Sequence, residues 1–82
     1  MSKADKLITK LRSKPKDFRW SEAETIMSSL GFEKIEGNGS RVKFVMPSTK
    51  LVISLHKPHP SNEMKSYAVK LLLETLIEQG LV

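Results

Sequence analysis

Eighty-two residues make one domain and leave no room for a second. Fourteen Lys and Arg against nine Asp and Glu give a net charge of +5, a balance that favours polyanionic partners, nucleic acid first. With no cysteine, disulfide staples, thiolate metal sites and a cysteine nucleophile are excluded, which fits a reducing cytoplasm. Apolar runs reach only three residues, as in the leucines at 71–73, so neither a membrane span nor a signal-peptide core is expected. The two histidines, His56 and His59, stand outside any HExxH-like pattern, so a catalytic zinc site is not expected.

Residues 1–13 read as a short basic helix, with Leu7, Ile8 and Leu11 on one side and lysines around them. Pro15 breaks it, because proline removes a backbone donor and biases Lys14 away from helical geometry. This segment is expected to be an N-terminal appendage packed on a main domain of residues 14–82; a basic arm reaching towards nucleic acid is the alternative. In the second helix, Ser21 and Glu24 have capping-box spacing. Ala23, Ile26, Met27 and Leu30 follow the i, i+3, i+4, i+7 stripe, and Gly31 supplies a stop. Phe18 or Trp20 is placed to cover the helix start, and Trp20 reads as core or staple in preference to a base-stacking platform.

Three strands come next, one closing at Ile35, then 41–46 and 51–56. Val42, Phe44 and Met46 share one side, as do Leu51, Ile53 and Leu55. Pro47 to Lys50 makes a four-residue hairpin turn, and Pro58 and Pro60 fix the loop after the third strand. A closing helix from about Ser66 to Gln79 carries Val69, Leu72, Leu73, Leu76 and Ile77 and ends at Gly80. The order is α-α-β-β-β-α. It predicts an α+β fold, with helices on one face of a three-stranded antiparallel sheet and the other face wet.

The turn at 47–50 fixes a register. Met46 then opposes Leu51, Phe44 opposes Ile53 and Val42 opposes Leu55, all apolar pairs that a slip of one residue would destroy. The alternate pairs are Val45 with Val52, Lys43 with Ser54, and Arg41 with His56. Applied to the turn at 37–40, the same logic pairs Ile35 with Val42, Lys34 with Lys43 and Glu36 with Arg41. The open face is thus expected to carry Lys34, Arg41, Lys43 and His56, with Ser54 and Glu36 among them and Lys57 extending it. Such a face suits phosphate; a solvated sheet face of mixed charge is the plainer reading.

The stretch FRWSEAETIMSSLGFEKIEGNGSRVKF, followed by LVISLHKPHPSNEMKSYAVKLLLETLIEQGLV, resembles the HicA family of bacterial toxins. The resemblance runs from about Lys14 to Val82. It rests most on the glycine–serine turn before the second strand and on "HP" plus "NEMK" before the last helix. It implies a fold like a double-stranded-RNA-binding domain, αβββα, here with an extra N-terminal helix. It also implies ribosome-independent cleavage of mRNA without a metal or cofactor, in the cytoplasm, and inhibition by a HicB-type antitoxin. A monomer is favoured for the free toxin. In the family's usual motif, Gly39 and Ser40 would be followed by the essential histidine; this chain has Arg41 there, a Gly-Ser-Arg variant.

Metal-free RNA cleavage needs a base near the 2′-hydroxyl, an acid near the leaving 5′-oxygen and positive charge at the phosphorane. Arginine stays protonated, so Arg41 cannot be the base, but it can hold phosphate bidentately. Histidine can transfer protons near neutrality. His56 is therefore expected to transfer the proton and Arg41 to clamp the phosphate, with Ser40, Lys43, Lys57 and Lys34 binding RNA. His59, in the proline-bracketed loop, is the second candidate and lines up better with the family's "HP" stretch. A surface or capping role is the alternative for each histidine. A non-catalytic RNA-binding module and a protein-interaction domain are the alternative functions.

Overall fold

The computed structural model describes residues 3–58 and 61–82. His59 lies outside the described residues. The elements run α1 (Lys3–Arg12), α2 (Trp20–Ser29), β1 (Glu33–Glu36), β2 (Arg41–Met46), β3 (Leu51–His56) and α3 (Ser66–Glu78). The strands form one antiparallel sheet in the order β1-β2-β3, so the fold is the expected α+β arrangement with an additional N-terminal helix.

Alternation along β2 and β3 does what period-2 patterning requires. Val42, Phe44, Met46, Ile53 and Leu55 are buried, while Arg41, Lys43, Ser54 and His56 face solvent. Their buried side meets Ala23, Ile26 and Met27 from α2 and Val69, Leu72, Leu73 and Leu76 from α3 in one hydrophobic cluster. Trp20 belongs to this core, its ring centroid 5.9 Å from that of Phe44 at 47°. Burial removes it from any role as a base-stacking platform.

The register of the β2–β3 hairpin is the expected one, from Met46 opposite Leu51 to Arg41 opposite His56. Lys50 closes the turn with φ +60, donating its N–H to the Met46 carbonyl at 2.7 Å. The register of β1 differs from expectation. Ile35 pairs with Lys43, Lys34 with Phe44 and Glu36 with Val42, one residue out of the anticipated alignment. The cause lies in the preceding turn. Gly37 donates its N–H to the Arg41 carbonyl at 2.8 Å, so only Asn38, Gly39 and Ser40 remain in the loop. Gly39, at φ +65, lets the chain reverse within that shorter span. A one-residue shift exchanges the faces of a strand, and Ile35 is left 51% exposed. With one large apolar residue on this edge strand, core burial exerts little hold on its register.

The start of α2 also differs. Arg19 is the N-cap, and Glu22, not Glu24, reaches back to accept the Arg19 backbone N–H at 3.0 Å. Ser21 is already inside the first turn. The exit follows the sequence: Gly31 adopts φ +97, and Phe32 donates its N–H to the Met27 carbonyl at 3.0 Å, the long bond of a Schellman motif. α1 packs on this framework through Leu11, which is fully buried, with Leu7 and Ile8 partly covered. Lys10 Nζ reaches both Glu22 carboxylate oxygens at 3.0 Å, tying α1 to the first turn of α2.

Two backbone bonds set the entry to α3. Trp20 donates its N–H to the Asn62 carbonyl at 2.8 Å, and Met64 donates to the Phe18 carbonyl at 2.7 Å. With Met64 buried, this clasp brings the first turn of α3 beside the end of β3.

Candidate functional site

Lys57 donates its N–H to the Ser40 carbonyl at 2.7 Å, continuing the β2–β3 ladder one step beyond the strands. Antiparallel pairs alternate between hydrogen-bonded and non-hydrogen-bonded, so Arg41 and His56 form the non-hydrogen-bonded type, in which side chains approach most closely. Their Cβ atoms are then about 4.5–5.5 Å apart on one face. A guanidinium with a forked set of donors thus stands next to an imidazole, and both are exposed.

Two concavities meet at His56. On the open face, a recess of about 250 Å³ is lined by Arg41, Lys43, Ser54 and His56 together with the backs of Val42 and Leu55. Round the end of the sheet, a second of about 230 Å³ lies between Ser40, His56, Lys57 and Pro58 on one side and Lys65 and Tyr67 at the start of α3 on the other. His56 contributes to both walls. Among the described residues none of Arg41, Lys43, Lys57 and Lys65 is held in an ion pair. Their charge is available to an anion arriving from solvent, and a low-mobility counter-charge need not be displaced first.

The fold therefore brings together Ser40, Arg41, Lys43, His56 and Lys57. It does not bring Lys34 to them. The altered register turns Lys34 to the helix side of β1, where Nζ lies 2.7 Å from Glu24 Oε2 and 3.6 Å from Glu36 Oε1. Those carboxylates, Glu24 foremost, raise the Lys34 pKa above its ordinary value. Glu36 moves to the same side, so the expected acidic member of the open face is also gone. Lys65 and Tyr67 were not among the residues singled out by periodicity. Tyr67 was discoverable as the chain's one tyrosine, just inside a helix start on the polar side of its stripe. Among the described residues, no group of three His, Asp or Glu side chains is placed to hold a metal ion.

A family model described as HicA toxin of bacterial toxin-antitoxin matches residues 20–77, from the first residue of α2 almost to the end of α3. The chain belongs to the HicA family. The match contains the whole sheet and every residue of the Arg41–His56 cluster, and α1 precedes it. No curated protein and no solved structure gives a significant match. Membership of the HicA family makes the chain the toxin of a toxin–antitoxin pair. Among its described residues, no helix is long and apolar enough to cross a membrane.

Proposed function

We propose that this HicA-family toxin is a metal-independent endoribonuclease acting on mRNA, with Arg41 and His56 at the centre of its site. The observation that carries the reading is their direct opposition across the β2–β3 hairpin, at the junction of two recesses rimmed by cations that have no ion-pair partner among the described residues. In the proposed reaction His56 accepts the proton of the RNA 2′-hydroxyl. The 2′-oxygen forms a bond to phosphorus while the bond from phosphorus to the 5′-oxygen breaks. The departing 5′-oxygen takes up a proton from solvent or from His59, leaving a 2′,3′-cyclic phosphate and a 5′-hydroxyl end. Arg41 holds the non-bridging oxygens with its planar fork and opposes the charge that develops on them. Ser40, Lys43 and Lys57 bind the flanking backbone. Lys34, committed to Glu24 on the other side, drops out of the set. The toxin works in the cytoplasm, where mRNA is found, and a HicB-type antitoxin inhibits it.

One observation favours a second reading. Position 41 carries an arginine, which cannot accept a proton, where the family resemblance places a histidine. On that reading the fold binds RNA and leaves it intact. Expression of the parent chain beside His56→Ala, scoring growth arrest and cleavage of RNA by the purified proteins, separates the two. Arrest and cleavage by the parent alone support the nuclease. RNA bound but uncut by both proteins supports the binding module, and equal cleavage by both removes His56 from the mechanism.

A further inference from the structure

Aromatic side chains are few in this chain, and their burial divides them sharply. Phe18, Trp20, Phe32 and Phe44 are all 6% exposed or less, whereas Tyr67 is 68% exposed. An exposed ring alone says little. Tyr67, however, stands in the first turn of α3 and lines the recess that also holds Ser40, His56, Lys57 and Lys65. Helical side chains lean towards the helix N-terminus, so a residue this early in α3 covers ground beyond the helix start, on the side of the β3 end. A recess lined by an aromatic ring, a proline and two lysines is the combination that single-stranded nucleic acid exploits: charge tracks the backbone while ring faces take the bases. At about 230 Å³ the recess is smaller than usual pockets for drug-sized ligands, a size that suits one planar group.

We propose that Tyr67 is a stacking platform for one unpaired nucleobase, the base next to the phosphate held between Arg41 and His56. This rests on the RNA-cleavage reading of the same cluster and adds to it a substrate class: single-stranded RNA. A duplex keeps its bases stacked on each other and offers the protein mainly backbone and groove. The sheet's cations serve either form, whereas an exposed ring beside the cleavage centre serves only a splayed strand. Lys57 and Lys65 then flank the nucleotide through its phosphates, and Tyr67 positions the strand so that a 2′-hydroxyl falls to His56.

The test measures binding apart from cleavage. A single-stranded oligonucleotide with 2′-O-methyl sugars, which removes the nucleophile, and the matching duplex are titrated against the parent, Tyr67→Ala, Tyr67→Phe and Tyr67→Trp. Tyr67→Ala should weaken single-strand binding about tenfold, the usual scale of one base–aromatic stack, and leave duplex binding unchanged. Tyr67→Phe and Tyr67→Trp should retain affinity, since they keep a ring face. Alanine is the best helix former and the site is exposed, so circular dichroism melting should be undisturbed in every variant. Single-strand binding by Tyr67→Ala equal to the parent overturns the proposal. So does a Tyr67→Phe loss as large as that of Tyr67→Ala, which would assign the effect to the hydroxyl. If the parent cuts no RNA yet the alanine variant loses single-strand affinity, the cleavage reading falls and the stacking platform stands. If the parent cuts RNA and Tyr67→Ala binds and cuts equally well, the platform falls and the nuclease stands.

Discussion

Arg41 and His56 oppose each other at the ends of β2 and β3, on the face of the sheet turned away from the helices. Neither residue can carry RNA cleavage alone. Arginine holds charge and donates hydrogen bonds, and histidine exchanges a proton, so the proposed reaction divides the two functions across a hairpin. Removal of the imidazole should lower cleavage about 10²–10⁴-fold, the usual contribution of general acid–base catalysis, with RNA affinity little changed. Single-turnover cleavage of a labelled RNA by His56→Ala, with binding measured in parallel, checks both halves.

Replacement of Arg41 by lysine keeps the charge and discards the planar fork. Arg41→Lys is expected to reduce cleavage roughly 10–100-fold, below the full cost of deleting a transition-state donor, with only a modest loss of binding. A variant as active as the parent would count against the clamp.

The two lysines nearest each other in the sequence-derived patch, Lys34 and Lys43, should behave differently. Lys43 faces the open side and has no ion-pair partner among the described residues, whereas Lys34 pairs with Glu24 and Glu36 on the helix side. Lys43→Ala should weaken RNA binding and reduce the slope of log affinity against log salt by about 0.7–1. Lys34→Ala should leave affinity and slope as they are. Titrations at several salt concentrations decide it, and a fall for Lys34→Ala equal to that for Lys43→Ala would return Lys34 to the interface.

Lys34 should instead be visible in the alkaline limb of stability. Its folded-state pKa is raised above 10.5, first by the hydrogen bond and charge of Glu24. A group shifted upward stabilises the fold fully below its unfolded pKa, and the contribution disappears as pH climbs through the folded value. The parent should therefore lose stability above about pH 10.5 more steeply than Lys34→Met or Glu24→Gln. Urea midpoints from neutral to strongly alkaline pH provide the comparison. The exposed setting makes the effect small.

Leu11 ties α1 to the family core although it precedes the residues that the family model matches. It is fully buried, so Leu11→Ala should cost about 2–5 kcal/mol. For a domain of this size that lowers Tm by roughly 10 °C or more. A change within about 0.5 kcal/mol, the range of an ordinary surface substitution, would show α1 to be a loosely attached arm. Thermal melts of Leu11→Ala beside the exposed control Lys6→Ala give the answer.

The two-layer fold and the Arg41–His56 opposition were legible in the residue pattern. Both follow from periodicity: β2 and β3 each place three apolar residues on one side, and only one alignment of the hairpin stacks all of them towards the core. The same stripe logic located α2 and α3, whose apolar faces cover that side. The alignment of β1, the partners of Lys34 and the place of Tyr67 emerge from the packed chain alone. β1 carries a single large apolar residue on an edge, so the length of the Gly37–Arg41 turn, not burial, chose its register and turned Lys34 towards Glu24. Tyr67 sits on the polar side of α3, where helical periodicity carries no instruction. It joined His56 because the Trp20–Asn62 and Phe18–Met64 backbone bonds fold the chain back beside the end of the sheet. Local patterning determines which side of an element is buried; which exposed groups become neighbours depends on contacts between distant segments.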